Sequence, residues 1–161
     1  MAETKYGKYV YEVPIGAEEI IKAFPKSAEQ REPPPDMKNM DLSKVPPTMN
    51  FVGSQAFGLN LGMIMIPISA PIKMESKPHS HDFDQLLCFL GTNPKNLKEF
   101  GAEIEFYLGE EGERHLIATP TIVYLKKGLI HCPLNYVKVE GTVYHLDIYL
   151  ADEYFRKPKP E

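Results

Sequence analysis

From residue 48 onward the chain is a succession of short apolar runs punctuated by turn residues. FVGSQAFGLNLGMIMIPIS (51–69) is rich in β-formers and is broken by Gly53, Gly58 and Gly62. After it come DQLLCFLG (84–91), AEIEFYLG (102–109), HLIATP (115–120), TIVYL (121–125) and TVYHLDIYL (142–150). EEGER (110–114) reads as a turn, and GTNPKNLKEFG (91–101) as a polar loop. Many short strands with turns between them predict an all-β sandwich or barrel. The one helical pattern, AEEIIKAF (17–24), lies before this region and is closed by Pro25. Residues 25–47 hold six prolines, many charges and few apolar side chains, which predicts an extended arm. The expected organisation is therefore an arm with a short helix over 1–47, a β-barrel domain over 48–155 and a polar tail over 156–161.

Two runs, MIMIPI (63–68) and LLCFL (86–90), are apolar at every position. A strand wetted on one side would alternate, so something is expected to cover the outer face of their sheet. The arm and a second subunit are the candidates, and a homodimer is predicted. Met63 and Met65 are read as core.

Composition narrows the field. A chain of 161 residues with 43% hydrophobic and 25% charged residues is most economically one soluble domain. Its net charge of −4, from 18 basic and 22 acidic side chains, comes without a basic tract, which speaks against nucleic acid as a partner. No apolar run is long enough to span a membrane, and the polar start MAETKYGKYV lacks the apolar stretch of a signal peptide. Cys88 and Cys132 are expected to be buried free thiols in a reducing cytoplasm.

The candidate chemistry lies in PHSHDFDQLLCFLG (78–91) and KKGLIHCPLN (126–135). His79 and His81 are two apart, so on a strand they face the same way, roughly 6.6–6.8 Å apart along it. Two imidazoles so placed can grip one metal ion, and a later strand can bring His131 against them. Strand parity puts Gln85 on the face of His79 and His81. Asp84 is chemically the better ligand for a hard dication, and Glu105 is a third candidate for a fourth position. His115 is read as a surface histidine beside its turn. On the last strand, Leu146, Ile148 and Leu150 are expected to point inward, which places His145 and Asp147 outside; the reversed orientation would make them a pocket acid–base pair. Tyr107, Tyr124 and Asn135 are candidate pocket residues.

These motifs resemble the two motifs of the cupin superfamily, G-x5-H-x-H-x3,4-E-x6-G and G-x5-P-x-G-x2-H-x3-N. His79, His81 and Gly91 stand for the first, with Gln85 where it has glutamate and Lys73 where it has its first glycine. Gly128, His131 and Asn135 stand for the second, with Pro120 and Lys126 replacing its glycine and proline. The resemblance covers roughly residues 55–150. It implies a jelly-roll β-barrel with one divalent transition metal (Fe, Mn, Ni or Zn) near its centre, held by His79, His81, Gln85 and His131. Asp82 and Asp84 are the expected acceptors for the imidazole N–H groups. It further implies a metal-dependent enzyme of oxygenase, isomerase, lyase or decarboxylase type acting on a small anionic or oxygen-rich molecule. A non-catalytic small-molecule binding or sensing module is the alternative.

Overall fold

The computed structural model describes residues 5–19, 26, 27, 43 and 45–158. Of the helix expected over 17–24, residues 20–24 lie outside the described residues, as does most of the proline-rich stretch.

The strands are β1 (Ile15–Gly16), β2 (Lys26–Ser27), β3 (Thr48–Val52), β4 (Gly62–Ile68), β5 (Ile72–Glu75), β6 (His79–Ser80) and β7 (Gln85–Gly91). They continue as β8 (Ala102–Leu108), β9 (Glu113–Ile117), β10 (Thr121–Leu125), β11 (His131–Val139), β12 (Val143–Tyr149) and β13 (Phe155–Pro158). A single helical turn, α1 (Gly53–Phe57), interrupts the run that the sequence reads as continuous strand.

One sheet runs β1-β3-β4-β12-β7-β10 and the other β2-β13-β6-β11-β8-β9, with β5 also on β11. Except for the parallel pair β2–β13, the pairings are antiparallel. From β4 to β12, β5 and β6 act as two halves of one strand. Every connection in that stretch crosses from one sheet to the other, except the hairpin that joins β8 to β9. The last strand, β12, returns to lie beside the first, β4, and β11 returns beside β5 and β6. That is the double Greek key of a jelly roll. The fold is thus an all-β jelly roll, the architecture that the motifs imply.

The core lies between the sheets. Phe89, Ile104, Phe106 and Val143 are fully buried, with Leu87, Leu125, Leu134 and Tyr136 around them. On β8 the inward row is Ala102, Ile104 and Phe106, as period-2 patterning requires. Gly91 is fixed by packing, because a Cβ there would lie 2.0 Å from the Glu99 carbonyl oxygen.

The outer face of the first sheet is apolar throughout. Register places Met63, Ile148, Leu86 and Tyr124 in one cross-strand row, and Met65, Leu146, Cys88 and Ile122 in the next. Met63 and Met65 are therefore on the outside, not in the core. The inner face of β12 is Val143, His145, Asp147 and Tyr149, all buried. This reverses the expected orientation of His145 and Asp147. The apolar side of this strand, Tyr144, Leu146 and Ile148, is its outer side. Residues 156–158, expected in a polar tail, belong to β13.

Among the described residues no helix is long and apolar enough to cross a membrane.

Candidate metal centre

His79 and His81 flank Ser80 at β6, and both are buried while Ser80 is half-buried. The two rings therefore enter the barrel together, as the i, i+2 spacing requires. His131 opens β11 directly opposite His79. On β11 the inward row would be Cys132, Leu134 and Tyr136, and a regular strand would turn His131 outward. The register shifts between His131 and Leu134, and Cys132 holds φ at 79°, in the left-handed region that side-chain-bearing residues rarely adopt. This irregularity buries His131 and Cys132 consecutively, so the bulge re-aims the imidazole into the site.

The three ring centroids lie 4.4–5.0 Å apart. One ligand nitrogen from each falls within 4.8 Å of the others. An ion bonded at about 2.1 Å joins nitrogens up to about 4.2 Å apart, so small ring rotations close the set. Each Nδ1 faces a backbone carbonyl: His79 that of Lys77 at 2.9 Å, His131 that of Leu129 at 2.9 Å, and His81 that of Phe155. Carbonyls only accept, so each Nδ1 carries its proton and each Nε2 keeps its lone pair. Burial also holds the imidazoles neutral: it lowers His81 to about 3, His131 to about 4, and His79 below its ordinary value. Neutral, oriented imidazoles are what a divalent transition metal needs, and the donor set fits one.

The expected acceptors Asp82 and Asp84 do not serve the histidines. Asp82 pairs with Lys157 at 2.6 Å, and Asp84 accepts the Lys127 backbone N–H at 2.8 Å. The acceptors are main-chain atoms, which no side-chain motif announces. Asp84 and Glu105 are both directed away from the imidazoles, Glu105 being paired with Arg114 at 2.5 Å.

Gln85 is buried on the interior face. Its Nε2 donates to Asp147 Oδ2 at 2.7 Å and to Tyr154 Oη at 3.0 Å. Its Oε1 and Asp147 Oδ1 are buried without a hydrogen-bond partner. Burial raises Asp147 to about 7, against the lowering effect of its bonds to Gln85 and Tyr154. Tyr154 Oη lies 3.5 Å from His81 Nε2. Phe83 stacks on His81 with centroids 4.8 Å apart and planes at 17°. Deeper in the barrel, His145 Nδ1 meets Tyr136 Oη at 3.0 Å, and burial lowers His145 to about 4. Tyr154 stands in no motif and reaches the site across a long sequence separation, so only the fold reveals it.

The other candidates lie elsewhere. Tyr124 is exposed on the outer face of β10, and Tyr107 and Asn135 are half-buried at outward positions of β8 and β11. His115 is at the surface, paired with Glu113 at 3.2 Å. Cys88 and Cys132 are buried free thiols, and burial pushes the Cys132 thiol up. A groove of about 420 Å³ runs between β9 and β10. It reaches Phe106, whose centroid is 6.3 Å from that of His131, but none of the three imidazoles lines it.

No family model and no curated protein matches the chain. Among solved structures it is similar to the polyketide cyclase RemF of Streptomyces resistomycificus, at 10% identity over 73% of this chain and 77% of that one, TM-score 0.48. It is similar to an oxalate decarboxylase of Bacillus subtilis at 13% identity over 68% of this chain, TM-score 0.45, spanning 26% of that longer protein. A cupin-like protein of Thermotoga maritima is similar at 10% identity, over 65% of this chain and 69% of that one, TM-score 0.42.

Proposed function

We propose that this cupin-type jelly roll is a metalloprotein that holds one divalent transition metal through His79, His81 and His131. One observation carries the reading. Three buried imidazoles from two strands converge with every Nδ1 tied to a carbonyl and every Nε2 left with its lone pair. A bound ion there would polarise a ligand oxygen and acidify a water.

The reading extends to an enzyme acting on a small anionic or oxygen-rich molecule. Three neutral imidazoles leave the charge of the ion uncompensated, which favours an anionic ligand. Asp147 and Gln85 supply unpartnered acceptor atoms beside the triad for a ligand's hydroxyl groups. Free thiols at Cys88 and Cys132 fit a reducing cytoplasm. A second copy of the chain covers the apolar outer face of the first sheet, where Ile122 and Tyr124 are 62% and 56% exposed.

Elemental analysis of protein reconstituted in turn with Fe, Mn, Ni and Zn tests the centre. Stoichiometric metal, lost in a His79→Ala/His131→Ala double variant that keeps its β-sheet circular dichroism, is the expected result. Only trace metal under every condition refutes it.

A further inference from the structure

The position that the cupin-like motif gives to an acidic ligand holds Gln85 here, and Gln85 spends its amide protons rather than its oxygen. Both of its hydrogen bonds are donated from Nε2, one to Asp147 and one to the phenol oxygen of Tyr154. That phenol oxygen stands 3.5 Å from Nε2 of His81. Two ligands bonded to one ion at about 2.1 Å and opened to a tetrahedral angle stand about 3.4 Å apart. Tyr154 Oη is therefore at ligand-to-ligand distance from His81.

We propose that Tyr154 is the fourth protein ligand, so that the centre is three histidines and one phenolate. The proposal rests on the metalloprotein reading above; a phenolate would offset part of the charge of a divalent ion and leave a net positive centre that still favours an anionic ligand. On binding, the phenol O–H bond would break, an oxygen–metal bond would form, and the proton would pass to the Asp147 carboxylate to which the phenol is hydrogen-bonded. A bound cation drives such a deprotonation, as it does for a coordinating thiol.

The surroundings are built for this placement. Residues 154–158 return along the strand that carries the histidines, with Lys157 opposite Ser80 and Pro158 opposite His79. The Phe155 carbonyl fixes His81, Arg156 pairs with Glu75, and Lys157 pairs with Asp82 at 2.6 Å. The Tyr154 ring packs 4.9 Å from His81, 5.6 Å from Phe83 and 5.1 Å from Tyr149, centroid to centroid. The identity of residue 85 follows. A glutamate would turn acceptors toward both a phenolate and Asp147, whereas the amide turns donors toward them.

The test uses the 161-residue chain loaded with ferric iron, with iron content, visible absorption and resonance Raman spectra recorded for wild type, Tyr154→Phe and Tyr149→Phe. Expected are stoichiometric iron and a visible phenolate-to-iron charge-transfer band with enhanced tyrosinate ring modes in wild type and Tyr149→Phe, and loss of both signals in Tyr154→Phe. Stoichiometric iron in wild type without that band overturns Tyr154 as a ligand and leaves the histidine site standing. A band that survives in Tyr154→Phe assigns the phenolate elsewhere and also overturns the proposal. Failure of wild type to take up iron or any of the other three metals overturns the metalloprotein reading itself.

Discussion

The substitution Gln85→Glu tests the interior polar network with almost no change of shape. Gln85 is 2% exposed, and its Nε2 lies 2.7 Å from Asp147 Oδ2. Two carboxylates at that separation would repel by about 6 kcal/mol at an effective dielectric constant of about 20. The folded variant avoids this by keeping one proton between the introduced carboxyl and Asp147, so that an O–H replaces the amide N–H. In wild type, burial raises Asp147 to about 7, so it carries that proton below about pH 7 and releases it above. The sign follows. Between about pH 5.5 and pH 7 folded wild type and folded variant bind equal numbers of protons, as do the two unfolded chains, and the stability difference is flat. Above it the folded variant holds one proton more than folded wild type, and the unfolded chains, both ionised there, differ by none. The variant therefore loses stability relative to wild type with a slope that approaches about 1.4 kcal/mol per pH unit, or about 2 kcal/mol from pH 7 to pH 9. Urea unfolding of metal-free wild type and variant, compared pH by pH, measures the difference and cancels the contribution of every titrating group the two proteins share. A rise of less than about 1 kcal/mol over those two pH units refutes the assignment of Gln85 as a buried donor to Asp147.

In wild type, His81, His131 and His145 have folded values of about 3, 4 and 4, lowered chiefly by burial. The unfolded chain takes up their protons first, so metal-free protein loses stability as pH falls below about 6.5, and bound metal opposes the loss at its three ligands; thermal melts across pH with and without metal check both. Gly91→Ala forces a Cβ against the Glu99 carbonyl oxygen at 2.0 Å, and chemical denaturation is expected to show a loss of about 1–3 kcal/mol. Leu146→Arg puts a charge in the middle of the apolar outer rows, and light scattering is expected to show a dimeric wild type and a monomeric variant.

The sequence signalled the strands and the triad because both obey local periodicity. His79 and His81 meet by i, i+2 spacing alone, and His131 was legible from its motif although a bulge is what turns it inward. Orientation of the last strand was not legible. Tyr144, Leu146 and Ile148 form its apolar row, and placing apolar residues inside sends His145 and Asp147 to the surface; the fold does the reverse. That rule fails where the interior is a polar site and the exterior is apolar. The carbonyls that orient the imidazoles belong to Lys77, Leu129 and Phe155, and main-chain acceptors carry no residue-type signature. Tyr107, Tyr124 and Asn135, candidate pocket residues in the sequence, are turned outward by strand parity.

The pairing of β13 with β6 also sets an order of events during synthesis. His79, His81 and His131 all leave the ribosome before Tyr154 and Phe155, so for an interval a nascent chain carries three imidazoles without the main-chain acceptor that orients His81. Metal captured in that interval would meet an unfinished coordination sphere. On the proposed metal reading, faithful loading would follow the docking of residues 154–158, and contacts this distant in sequence are among the slower ones to form.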